Sequence, residues 1–311
     1  MDWIFYFCII KAKLVHQRCN THSLTNTNIM EESQRLREVL AIVNDKGGVG
    51  KSTTAHNLAC GLIRKGNYRV LIVDLDAQVA NVSLLCNWKQ NEGEHRPTMY
   101  EAFVNKSAIP IYQVTSGEQD YGKNLFLAPS SEAMLGIEPF LLREINPLKV
   151  LTKLFSVPVS LPEEQGGTQS IIEAFDYVII DCPPAMNLVT KNAMSVATGI
   201  IIPIQLEALP TFGSSSVIRW AEGVKAEINP YLDLRGLLKV MVDRRTKASM
   251  DFSKHIDEVY GDYVFHTEIP RRTKIIEAQA MLTDIFTYDE TCDAAQHYDQ
   301  FAQEIIDTYP G

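Results

Sequence analysis

The stretch AIVNDKGGVGKSTTAHNLACGL, residues 41–62, decides the fold. It reads as the end of an apolar strand, a glycine-rich turn and the start of a helix. The turn GGVGKST therefore sits in the context that a phosphate-binding loop requires. Glycines let backbone N–H groups converge on an anion, and the helix that follows adds the positive end of its dipole. Gly47, Gly48, Val49, Gly50, Lys51, Ser52 and Thr53 form this cradle. Lys51 is placed to reach the β- and γ-phosphates, and the Ser52 hydroxyl to ligate Mg²⁺. A second lysine, Lys46, stands five residues before Lys51, although one lysine suffices to hold a phosphate.

Outward from this stretch, short apolar runs alternate with helix-period segments. The runs are 39–44, 69–76, 124–130, 176–181, 199–205, 237–243 and 263–270. Several are continuously apolar, as strands buried on both faces of a parallel sheet are. Residues 53–65 put Ala55, Leu58, Ala59 and Leu62 on one helical face, with Gly66 as the stop. Residues 212–228 put Val217, Trp220, Ala221, Val224 and Ile228 on one stripe, which reads as core packing. The alternation predicts an α/β fold, a doubly wound and mostly parallel sheet flanked by helices. Loops are expected at 87–97 and 156–170, and neither divides the chain.

Residues 30–311 are expected to form a single domain, with Met30 as the start and residues 1–29 as a disordered or non-native extension. The apolar run near the N-terminus is too short to span a bilayer, and its flanking charges run opposite to those of a signal peptide. The net charge of −9 argues against a protein that coats nucleic acid over its whole surface, while leaving room for a local basic patch. The six cysteines form no C-x-x-C pair, so they read as thiols in a reducing compartment.

The turn has Asp45 where the common phosphate-loop motif has glycine, and reads K-G-G-V-G-K-S-T from Lys46. This resembles the deviant Walker A motif of the ParA/MinD family, and the likeness runs from about residue 38 to residue 308. VLIVDLDAQ resembles the second aspartate motif of that family, and FDYVIIDCPPAM its Walker B. The resemblance implies a P-loop ATPase using ATP and Mg²⁺. Lys46 would reach across an ATP-bound homodimer to the phosphates of the other subunit. Asp76 would orient the attacking water. Asp74 would support the Mg²⁺ shell or the loop after the second strand, and Asp181 would hold a Mg²⁺-bound water. Pro270 and Arg271, in a segment resembling the I-P-R-x motif of the family, would border the nucleobase. One departure is DLDAQVAN, where many relatives have D-x-D-P-Q-G-N, which leaves the roles of Gln78 and Asn81 open.

Relatives of the ParA type bind DNA without sequence preference when ATP holds the dimer together. Candidates for that contact are Arg219, Lys225, Arg244, Arg245, Lys247, Arg272 and Lys274, interspersed with acidic residues. The implied protein is cytoplasmic and nucleoid-associated, works in plasmid or chromosome partitioning, turns over slowly and is reset by a ParB-like activator. The acidic C-terminal segment YDQFAQEIIDTYPG differs from the basic amphipathic helix by which MinD-type members dock on membrane. Two other readings stand beside this one. The first is the same switch positioning a protein cargo or secretion machine, and the second is a non-catalytic, nucleotide-dependent scaffold.

Overall fold

The computed structural model describes residues 38–78, 82–89, 95–114, 121, 124–161, 169–206 and 210–308. The N-terminal extension, the start at Met30, Asn81 and parts of the two expected loops lie outside the described residues. Seven strands form one sheet: β1 (Glu38–Ile42), β2 (Val70–Asp74), β3 (Tyr112–Gln113), β4 (Leu125–Ala128), β5 (Tyr177–Asp181), β6 (Gly199–Gln205) and β7 (Asp233–Val240). Their order is β3-β4-β2-β5-β1-β6-β7, and every pairing is parallel except β3 with β4. The helices of eight or more residues are α1 (Lys51–Gly66), α2 (Leu188–Val196), α3 (Pro210–Glu227), α4 (Lys247–Tyr260), α5 (Thr273–Ala280) and α6 (Asp293–Thr308).

The core lies on both faces of the sheet, which is why the central strands show no polar alternation. Along β1, Val39 and Ala41 face one apolar layer, while Leu40 and Ile42 face the other. The second layer is closed by α1 against α6, whose Ala294, Tyr298, Phe301, Ala302 and Ile305 are buried. The apolar face of the C-terminal helix is thus used internally. At Gly61 a Cβ would come within 2.9 Å of the Ala302 Cβ, so only glycine lets these two helices approach so closely.

Three local expectations change. The run 263–270 is no strand. It lies along the edge strand β7 with two isolated parallel bridges, Leu237 to Val264 and Val242 to Pro270. Helix α1 includes Gly66, and Asn67 takes the left-handed cap position, its N–H bonding the Ile63 carbonyl. Trp220 leaves the core stripe of α3: it is 41% exposed, and Lys191 Nζ of α2 lies 3.9 Å from its ring centroid. Cys60, Cys86, Cys182 and Cys292 are buried free thiols, as expected. Among the described residues no helix is long and apolar enough to cross a membrane.

Candidate functional site

Strand order and register assemble the site. In a doubly wound sheet, ligands bind beyond the carboxyl ends of the strands. Here β5 lies between β1 and β2, and its Asp181 is opposite Ile42 on one side and Asp74 on the other. The loop after β1 therefore has on one side the carboxylate that ends β5 and, one strand further, the one that ends β2.

The loop 44–50 is pinned from three directions. Asn44 Nδ2 donates to the Pro203 carbonyl at 2.7 Å, and its Oδ1 accepts the Lys46 N–H at 2.9 Å. Lys51 Nζ donates to the Lys46 carbonyl at 3.0 Å, closing the loop on itself. Gln205 Nε2, at the end of β6, donates to the Gly48 carbonyl at 3.0 Å and to the Met241 sulfur. Gly48 and Gly50 have φ of 72° and 77°, a region that side chains with a Cβ strain to occupy. Asp45, the departure from the common motif, accepts the Ser216 hydroxyl of α3 at 2.7 Å. The backbone of Lys46 is held in this way while its side chain is exposed at the loop tip.

Charge inside the cradle is poorly screened. Lys51 is 6% exposed, and burial lowers its amine below the usual lysine range, opposed by Asp181 and Asp76. Asp181 is fully buried, and neither carboxylate oxygen has a hydrogen-bond partner. Burial raises its affinity for a proton, while the Ser52 hydroxyl, Lys51 and the Val82 N–H favour its charge, the two hydrogen-bond donors without meeting hydrogen-bond geometry. A buried carboxylate without a partner, beside a hydroxyl that a phosphate loop offers to Mg²⁺, fits a cation site. No group of three or more His, Cys, Asp or Glu ligands exists among the described residues. Mg²⁺ keeps waters and takes phosphate oxygens as ligands, so a hydroxyl and one carboxylate are a sufficient protein contribution.

The two aspartates after β2 differ. Asp74 is fully buried, and its oxygens accept the Asp76 N–H, the Ser83 N–H and the Ser83 hydroxyl. Burial and then Asp181 push its carboxyl well above the usual range. These three bonds tie Asp74 to the loop after β2, one of its two expected roles. Asp76 faces the cradle. Its Oδ1 accepts the Gln78 N–H at 3.0 Å, and burial raises it while Gln78 and Lys51 pull it back. After β5, Pro183 and Pro184 run along the loop, with the Pro184 Cβ 4.0 Å from where a Cβ on Gly47 would stand. Asn187 caps α2 through the Thr190 N–H.

Beside Gly50 and Thr53 opens a cavity of about 240 Å³ lined by Met241, Ile269, Pro270, Arg271 and Ile276. Pro270 and Arg271 stand at it, where a nucleobase edge is expected. Asn44, Gln205, Met241 and Gln279 are site residues that the sequence reading does not single out.

The basic candidates separate. Arg244, Arg245 and Arg272 line one groove of about 780 Å³ with His266 and His297, and Lys247 is exposed at the start of α4. Arg219 and Lys225 lie apart, on α3. Most are met by carboxylates: Arg244 by Glu268 at 2.6 Å, Arg245 by Asp243 at 2.6 Å, Arg272 by Asp293 at 2.6 Å, Lys225 by Asp233 at 3.6 Å and Lys274 by Asp289.

A family model described as an AAA domain matches residues 37–234. The chain is 31% identical over 268 residues to the chromosome partitioning protein ParA of Caulobacter vibrioides, covering 86% of this chain and 93% of that protein. It is 30% identical over 270 residues to the chromosome-partitioning ATPase Soj of Treponema pallidum, covering 86% and 97%. Among solved structures, cobyrinic acid a,c-diamide synthase of Mycobacterium smegmatis, with a bound ATP analogue and magnesium, superposes with a TM-score of 0.69 at 25% identity, over 89% of this chain and 97% of that one. With the two-lysine loop, the sheet order and relatives of this identity over most of its length, the chain belongs to the ParA/MinD family of P-loop ATPases.

Proposed function

We propose that this chain is a partition ATPase whose ATP-bound homodimer holds DNA and is released by hydrolysis that a ParB-like partner stimulates. The observation that carries the reading is the loop itself. Its backbone is pinned at Asn44, Lys51 and Gln205, yet Lys46 is presented at the surface. The exposure of this lysine supports a role for it on phosphates held by a second subunit.

In this mechanism the amides of residues 47–53 and Lys51 bind the β- and γ-phosphates. The Ser52 hydroxyl and a water on Asp181 hold Mg²⁺, which when bound neutralises charge on the phosphates. Asp76 orients the water that attacks in line, and Lys46 of the other subunit stabilises charge on the transferred group. Among the described residues no side chain in the cradle is a strong general base, which supports a slow basal turnover that leaves room for an activator.

The DNA contact is assigned to Arg244, Arg245, Arg272 and Lys247. Exposed ion pairs contribute about 0–1 kcal/mol each, so phosphates can replace the carboxylate partners at little cost. The same pairing supports a second reading, in which that mixed-charge face docks a protein cargo. Retention on non-specific duplex DNA, with ATP, ADP or no nucleotide at two salt concentrations, tests the two. ATP-dependent retention that weakens steeply with salt supports the DNA reading. ATP-driven dimers without retention would refute it and favour the cargo. A chain that binds ATP without turnover would be a scaffold instead.

A further inference from the structure

The cavity proposed for the base has a mostly apolar wall, formed by Val240, Met241, Ile269, Pro270 and Ile276, which the exposed Arg271 and Arg272 also line, Arg272 being held by Asp293 and the Arg271 carbonyl. Gln279 of α5 is the one lining residue with a side-chain carbonyl or carboxylate. Its Nε2 donates to the Thr53 hydroxyl, two residues beyond Lys51 on the phosphate loop. The amide is thereby oriented, and among the described residues its Oε1 has no partner. A fixed acceptor in an apolar cavity is a selective element. It rewards a ligand that brings a donor and penalises one that brings a second acceptor, since the two acceptors then face each other.

We propose, resting on the nucleotide reading of this site, that Gln279 selects 6-aminopurine over 6-oxopurine nucleotides. Its Oε1 accepts from the exocyclic amino group of adenine. Guanine and hypoxanthine present a carbonyl oxygen at that position and meet it acceptor to acceptor. Thr53 fixes the amide and belongs to the loop that cradles the phosphates, so base reading and phosphate binding meet at one residue.

Calorimetric binding of ATP, inosine triphosphate and GTP to the full chain, with Mg²⁺, tests this in the wild type, Gln279→Glu and Gln279→Met. Inosine triphosphate lacks the 2-amino group, so its comparison with ATP reads position 6 alone. The wild type is expected to favour ATP over inosine triphosphate by about tenfold, the worth of one hydrogen bond and its lost counterpart. Gln279→Glu keeps an acceptor, which the Thr53 hydroxyl can orient by donating to it, and keeps the preference. Gln279→Met keeps the shape without an acceptor, and the ratio falls towards one. Equal wild-type affinities for ATP and inosine triphosphate, or a ratio unchanged in Gln279→Met, would overturn the assignment while leaving the nucleotide site intact. Binding of none of the three triphosphates by the wild type would overturn the nucleotide reading and this inference with it.

Discussion

Replacing Asp181 by Asn should stabilise the nucleotide-free protein and weaken its response to Mg²⁺ and ATP. Asp181 is 0% exposed and both its oxygens lack hydrogen-bond partners. An unsatisfied buried polar group costs about 1–3 kcal/mol, and more when it is charged. Asn keeps the shape, removes the charge and retains part of the unsatisfied polarity. The expected gain is about 2 kcal/mol. For a chain of this size 1 kcal/mol moves Tm by about 2 °C, so the variant should melt about 4 °C higher without ligand. With Mg²⁺ and ATP the order should reverse, because the wild type regains the lost energy through the cation and the variant does not. Thermal melts of both proteins, with and without ligand, check this. A nucleotide-free variant less stable than the wild type would refute the reasoning, since it would mean that the carboxylate is already satisfied in the folded state.

Other variants separate roles around the cradle. Lys46→Ala is expected to abolish ATP-dependent dimerisation while lowering ATP binding by the monomer far less; normal dimers by light scattering would remove its role across the interface. Asp76→Ala should lower turnover about a hundredfold, the cost of misplacing the attacking water, with ATP affinity nearly kept. Asn44→Ala leaves the Pro203 carbonyl and the Lys46 N–H without their partner and should cost about 1–3 kcal/mol in stability, read by urea unfolding. His56 is buried, and burial lowers its proton affinity below the ordinary imidazole value of 6.5. The unfolded chain then binds the proton first, so stability should fall as pH drops below 6.5, and His56→Gln should flatten that slope.

What could be read from sequence follows from range. The interiors of strands β1, β2, β5 and β6 are apolar because both faces are buried, and such runs are visible in a single sequence. The phosphate loop is equally local, since its glycines, lysines and hydroxyls fall within eight residues. Asn44, Gln205 and Gln279 were not legible in this way. Their partners lie 159, 157 and 226 residues away in the chain, and only the sheet order brings them together. Trp220 fits the apolar period of α3 and still faces Lys191, because an aromatic ring satisfied by a cation needs no core. The run 263–270 has strand composition, but as a segment beside an edge strand it pairs at isolated points only.

The two strand-end aspartates show how this site can act as a switch. Asp74 and Asp181 are register partners, both fully buried, yet all the hydrogen bonds go to Asp74. That aspartate ties the loop after β2 to the sheet, and Ser83 carries the tie onward by accepting the Ser130 N–H. Asp181 receives no such support, and Lys51 spends its ammonium on a backbone carbonyl. The nucleotide-free cradle therefore holds one buried carboxyl without a hydrogen-bond partner and one desolvated amine in a rigid frame. Adding phosphate and Mg²⁺ satisfies both without moving the sheet, so the free energy of binding becomes available to the loops that meet there. One of these loops contains Asp76, and another contains Pro183 and Pro184 beside Gly47. A conformational change driven from this site should be confined to those loops, and hydrogen exchange should show protection there, on adding ATP, before it shows any in β1 or β5.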